Sequence, residues 1–276
     1  MSDFFRNFSI AIAYGTVALA LSGRVLAAEL DQVFSVNSPN ATMTVDHRAW
    51  DSLLSNYVVA SPDGINRFAY GRVSKADRQA LKAYLAKLQG VKVTALRADD
   101  QRAFWINLYN ALTIDVVLNH YPVKSIRDIS LGGGLFATGP WKKELVTVEG
   151  RKLSLDNIEH DILRKVWRDP RVHYAVNCAS ISCPNLIAKA FTGATLDEML
   201  TQGARAYVNH KRGVNASTGR LRLSNIYDWY ARDFGSNDAQ VIAHVSGYAE
   251  PALKQQLAGI KTIAGYDYDW ALNEAK

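Results

Sequence analysis

Cysteine is nearly absent from this chain, with two thiols in 276 residues, Cys178 and Cys183, in one short run. A single bridge across so short a loop removes little entropy from the unfolded chain and is a poor staple for a body of this size. Long runs of lysine or arginine are also missing. The 32 basic and 26 acidic residues give a net charge of +6, scattered rather than gathered into the stripe that nucleic-acid binding needs. The densest basic group, Lys211-Arg212 with Arg220 and Arg222, reads as the solvated rim of a hairpin. No nucleic-acid partner is expected. Internal repeats and linkers rich in proline, glycine or serine are lacking, which points to a single globular domain over residues 29–276.

The apolar run from Phe8 to Leu21 falls short of the roughly 20 residues that span a bilayer. It follows Arg6 and precedes Val25-Leu26-Ala27-Ala28, the order of charge, apolar stretch and small residues found in a secretory signal. Residues 1–28 are therefore expected to be a signal peptide, leaving a periplasmic or secreted protein with no stable membrane span after cleavage. Taking Arg6, Arg24 and Asp3 from the totals leaves a net charge near +5. An oxidising compartment favours closing paired thiols, so a Cys178–Cys183 disulfide is one reading of the pair.

Periodicity gives a helix-rich α+β fold with a small β-sheet. Residues 29–45 read as an irregular lead-in. Trp50, Leu53, Leu54 and Tyr57 share one helical face, and Leu81, Tyr84, Leu85 and Leu88 share another behind an N-cap at Ser74. A third helix starts near Asp99 or Asp100 and runs to about His120. It is apolar nearly all round, and Asn107, Asn110, Thr113 and Asp115 favour a central buried helix over a membrane span. Gly132-Gly-Gly134 lacks the following Gly-Lys-Ser/Thr of a phosphate loop and reads as a mobile flap. A hairpin turns at Glu149-Gly150, and Ser154 caps a helix from Leu155 to about Trp167. Beyond the cysteines come a helix over 196–210, a hairpin turning at Ser217-Thr218-Gly219, helices over 225–234 and 238–257, and a short strand at 260–263.

Several polar residues stand where the pattern asks for apolar ones. Glu159 falls within the stripe of Leu155, Ile162, Leu163 and Val166, with His160 beside it. A buried carboxylate must pair, hydrogen-bond or take up a proton. Asn107 and Asn110 project to one side of the third helix. They either clamp a loop through backbone bonds or donate into a pocket as oxyanion donors do. His173-Tyr-Ala-Val-Asn-Cys178 reads as a strand-like stretch entering a polar elbow, and the odd offset sets His173 and Cys178 on opposite faces unless the strand ends near Asn177. A zinc site from Cys178, Cys183, His173 and His160 fits the usual ligand spacing poorly. No metal and no cofactor are expected.

Phe104-Trp-Ile-Asn-Leu-Tyr-Asn-Ala-Leu112, Leu153-Ser-Leu-Asp-Asn-Ile-Glu-His160, Asp169-Pro-Arg-Val-His-Tyr-Ala-Val-Asn-Cys-Ala-Ser-Ile-Ser-Cys-Pro184 and the tail Tyr268-Asp-Trp-Ala-Leu-Asn273 together resemble the domain of unknown function 547 family. The resemblance covers about residues 95–273. It implies kinship with bacterial secreted or envelope proteins and plant intracellular ones, and no particular reaction. The residues themselves support two expectations. One is a thiol-dependent hydrolase or acyl transferase acting on a small molecule or peptide, with Cys178 as nucleophile, His173 or His160 as base, Glu159 as its orienter and Asn107 or Asn110 at the oxyanion. The other is a non-catalytic binding or assembly module with a structural disulfide and a buried polar network.

Overall fold

The computed structural model describes residues 30–132, 138–216 and 219–276. The segment expected to be a signal peptide, most of the expected triple-glycine flap and the expected turn at Ser217-Thr218 lie outside the described residues. Helix α1 (Arg48–Tyr57) buries Trp50, Leu53 and Leu54, as its spacing requires. Helix α2 (Lys75–Gln89) starts at Ser74, whose side chain accepts from Asp77 N–H, and buries Leu81, Tyr84, Leu85 and Leu88. Between them lie the short antiparallel strands β1 (Val58–Val59) and β2 (Arg67–Phe68). Helix α3 (Ala98–His120) is buried continuously from Asp100 to Ile114 and has no wet face until its last turn. The protein is thus helix-rich α+β around a central helix. Among the described residues, no helix is long and apolar enough to cross a membrane.

The expected hairpin forms from β3 (Val146–Val148) and β4 (Arg151–Leu153). Its two turn residues, Glu149 and Gly150, both take positive φ, 46° and 77°, the backbone that matches the twist of the strands it joins. A second sheet orders β5 (Val214–Asn215), β6 (Leu221–Ser224) and β7 (Ile263–Asp267), with β5–β6 antiparallel and β6–β7 parallel.

Five expectations need correction. The lead-in contains a helical turn over 30–34, because Leu30 and Phe34 are both buried and Phe34 packs edge-on against Trp105. The helix after Ser154 is not a regular α-helix: Asn157–Leu163 is a π-helix, followed by α4 (Arg164–Trp167), so the 100° wheel does not describe it. The stretch read as a strand before Cys178 begins instead in a 3₁₀-helix, Pro170–Tyr174, with Pro170 in its first turn and Asp169 capping Arg171 N–H, and continues as an irregular turn. From Val172 to Asn177 every residue is buried, so no alternation marks it. Two long C-terminal helices are four short ones: α6 (Ile226–Trp229) and α7 (Ala231–Phe234), then α8 (Asp238–Tyr248) and α9 (Pro251–Leu257). Proline cannot donate inside a helix, and Asn209 holds that break by accepting from Glu250 N–H and donating to Tyr248 O. The last strand begins at Ile263, later than expected.

Two hydrophobic clusters form the interior. The larger surrounds α3, and the smaller packs Tyr174, Tyr207, Tyr227 and Phe234 between α5 (Leu196–Val208) and α8. Asn107 and Asn110 both act as clamps from α3. Asn107 donates to Phe191 O at 2.8 Å and accepts from Phe191 N–H at 3.0 Å. Asn110 donates to Ala175 O at 2.9 Å and accepts from Asn177 N–H at 2.8 Å. Both amides are consumed by backbone, which removes them as oxyanion donors. Asn107→Ala strands a buried N–H and a buried C=O at Phe191, a cost of about 2–6 kcal/mol at roughly 1–3 kcal/mol per orphaned group. Urea denaturation should show that loss, while thiol labelling of the folded variant stays within about twofold of the parent; an unchanged midpoint would contradict the clamp.

Candidate active site

The segment after the 3₁₀-helix turns sharply through Asn177. Its Oδ1 accepts from Ala179 N–H at 2.9 Å and its Nδ2 donates to Pro184 O at 2.7 Å. Ala179 follows Cys178 with φ 58°, a region costly for a residue with a Cβ. The surroundings hold it there. Ile181 and Ser182 donate to Ala271 O and Asp269 O of the C-terminal tail, Asn273 N–H donates back to Ala179 O, and Tyr207 OH donates to Ser182 O at 2.7 Å. The tail thereby fastens the cysteine loop and returns to β2, where Phe68 N–H donates to Asn273 O.

Both cysteines are free thiols. Cys178 Sγ lies 2.9 Å from Cys183 Sγ, 3.0 Å from Tyr268 OH and 3.3 Å from Ser180 Oγ. Burial alone raises the Cys178 thiol, but its hydrogen bonds with Cys183, Ser180 and Tyr268 outweigh it and bring the group below its ordinary value. Burial, reinforced by the neighbouring Cys178 charge, pushes Cys183 well above its own. Burial and the two sulfurs do the same to the Tyr268 phenol. One member of the cluster is therefore disposed to ionise and two to keep their protons and donate. Ser180 Oγ completes the relay, 3.1 Å from Tyr268 OH.

Cys178 opens on a cavity of about 530 Å³ that also receives Glu159, His160 and His173. The structure brings four of the six sequence-derived candidates together and leaves out the two asparagines. Because the chain leaves a 3₁₀-helix at Tyr174 and turns irregularly through Asn177 instead of forming a strand, the opposite-face argument against His173 does not hold. His173 is buried, and its Nε2 lies 2.7 Å from Asp233 Oδ2. Arg164 grips the same carboxylate through Nε at 2.5 Å and Nη2 at 3.1 Å. Burial raises Asp233, but the bonds from His173 and Arg164 dominate and hold it well below the usual carboxylate range. Asp233 is the residue that orients the imidazole. Glu159 Oε1 stands 3.9 Å from His173 Nδ1 and 4.0 Å from His160 Nδ1, beyond hydrogen-bond reach, so the expectation that Glu159 orients a base is corrected. Its partner is the Tyr230 hydroxyl. His160 is tied elsewhere, with Nδ1 3.3 Å from Arg164 Nη1 and Nε2 3.7 Å from Asp156. Burial raises the Asp156 carboxyl.

Sequence reasoning missed Asp233, Tyr230 and Tyr268. Only Tyr268 carried a signal, as part of the tail that contributed to the family resemblance. Among the described residues, no group of three or more His, Cys, Asp or Glu is placed to hold a metal ion. The Phe rather than Tyr ring at 268 removes one donor to the Cys178 thiolate, so Tyr268→Phe should slow alkylation by iodoacetamide near neutral pH about tenfold, one charge-assisted bond's worth. The labelling profile should move to higher pH; an unshifted profile would detach Tyr268 from the thiol. Diamide should close Cys178 to Cys183 within one chain and block labelling until reductant is added, as intact mass would show.

The family model described as "Protein of unknown function, DUF547" matches residues 93–208, from the start of α3's lead-in to the end of α5. That stretch holds the π-helix, His173 and both cysteines, in agreement with the resemblance read from the motifs. No curated protein and no solved structure matches the chain.

Proposed function

We propose that the protein is a thiol-dependent hydrolase or acyl transferase. The observation that carries this reading is one cavity holding a thiol stabilised as thiolate by fixed donors together with an imidazole already oriented by a carboxylate. Cys178 Sγ attacks a carbonyl carbon, and His173 receives the thiol proton. Asp233 holds the Nε2–H of His173, which leaves Nδ1 as the basic nitrogen. Imidazolium formed there lies between the carboxyl groups of Asp233 and Glu159, at 2.7 and 3.9 Å. The Tyr268 hydroxyl replaces the asparagines as the donor nearest the developing oxyanion. Collapse of the tetrahedral intermediate forms a thioester on Cys178, and the leaving group departs with the proton from His173. Water or another acceptor then releases the acyl group, returning its proton through the same imidazole.

A second reading, a binding module with a structural bridge, draws on the 2.9 Å between the two sulfurs. The two readings part over covalent chemistry. Incubation of the reduced protein with a panel of activated acyl esters should add one acyl mass to Cys178. His173→Ala should slow that step by about 10²–10⁴-fold, the usual worth of a positioned base, and Asp233→Asn should fall between. Absence of any adduct on a labelable Cys178 favours the binding module. Export is part of the proposal: protein recovered from the cell envelope should begin after Ala27 or Ala28, and an intact Met1 in that fraction would contradict it.

A further inference from the structure

The cavity has an aromatic wall that the thiol chemistry does not use. Trp229 is 44 % exposed although it sits at the cavity. It contacts Tyr268 and Trp270 at centroid distances of 4.8 and 5.5 Å, and Trp270 meets Trp141 edge-on at 5.7 Å. Tyr268 belongs to this wall by its ring and to the thiol cluster by its hydroxyl, 3.0 Å from Cys178 Sγ. A ligand lying along the rings therefore runs up to the sulfur.

Three ligand chemistries suit an aromatic wall, and the surrounding charges separate them. An aromatic cage for a cation needs several open ring faces, but the chain's own guanidiniums occupy two of them and leave Trp229 as the exposed platform: Arg127 stands 5.3 Å from the Trp270 centroid and Arg164 4.8 Å from that of Tyr230. Lys142 also lines the cavity and opposes a positive ligand. A plain hydrocarbon chain would cover Asp156, and the lone pairs of Glu159 that the Tyr230 hydroxyl does not use, without giving them donors, and a polar group stripped of water and left unpaired is costly. A sugar ring meets both demands, with a face of C–H groups for the Trp229 indole and hydroxyl donors at its edge for the carboxylates.

We infer that the substrate is an acylated saccharide. Its ring lies on the exposed face of Trp229, its hydroxyls donate to Glu159 and Asp156, and its ester or amide carbonyl reaches Cys178. The acyl half of this inference rests on the thiol mechanism proposed above; the saccharide half does not.

The test is tryptophan fluorescence and calorimetry on full-length Cys178→Ser with a panel of disaccharides, plain and N-acetylated, in gluco, galacto and manno configurations. Tetramethylammonium and butyrate serve as the cationic and hydrocarbon probes. At least one disaccharide should bind saturably in the millimolar range or tighter. Trp229→Leu, which keeps apolar bulk but not the flat face, and Glu159→Gln should each weaken it about tenfold or more, with melting curves confirming that both variants fold. Binding of either small probe with no response to any sugar overturns the inference, as does sugar binding that neither variant weakens. Saccharide binding without acylation of Cys178 in the parent protein sinks the thiol mechanism and leaves the saccharide site standing.

Discussion

The amide of Asn110 fixes the chain on which the site is built. It donates to Ala175 O and accepts from Asn177 N–H, so a rigid, fully enclosed helix dictates where the cysteine loop begins. An exposed helix would let water compete for those bonds. On α3 no water is available, and letting go would orphan two buried groups at once. Asn177 passes the constraint on through its own side chain to Ala179 and Pro184. The unfavourable φ at Ala179 is sustained by this scaffold together with the tail that closes over it. Cys178 thus owes its position to residues 65 or more places away in sequence as much as to its neighbours.

Electrostatics at the two sulfurs follow from where the donors sit. Burial penalises any thiolate, and at Cys183 it prevails. At Cys178 the hydrogen bonds with Cys183, Ser180 and Tyr268 outweigh burial and reverse the balance. Such a cluster is polarised by geometry, since two thiols 2.9 Å apart are shifted in opposite directions. The imidazole side is arranged by the same logic. Arg164 keeps Asp233 charged, Asp233 keeps His173 in one tautomer, and the Tyr230 ring stacks on His173 with centroids 4.1 Å apart. Few of these groups are free to reorganise, which is the condition for electrostatic assistance to a reaction.

Local rules sufficed wherever an element is half wet. Helices α1 and α2, the Ser74 cap and the Glu149-Gly150 hairpin could all be read from spacing, because water on one face imposes a period. Where the chain is enclosed the period vanishes. The 3₁₀-helix before Cys178 resembled a strand, and the π-helix under Glu159 resembled an ordinary turn of α-helix. Glu159, His160, His173 and Cys178 were legible as a group because each is a polar residue out of place. Asp233 was invisible for the opposite reason: an acidic residue near arginine in a polar stretch looks like surface, and only folding brings it to His173. The asparagines were conspicuous for the right property, burial, yet burial alone does not distinguish a clamp from a donor.

The account depends most directly on the two sulfurs differing in acidity. Thiolate absorbance of the reduced protein, followed across pH and assigned with Cys178→Ser and Cys183→Ser, tests that. One thiol, lost in the first variant, should ionise below the ordinary cysteine value of about 8.5, while the other stays protonated well above it. Two thiols titrating together near the ordinary value would contradict the account.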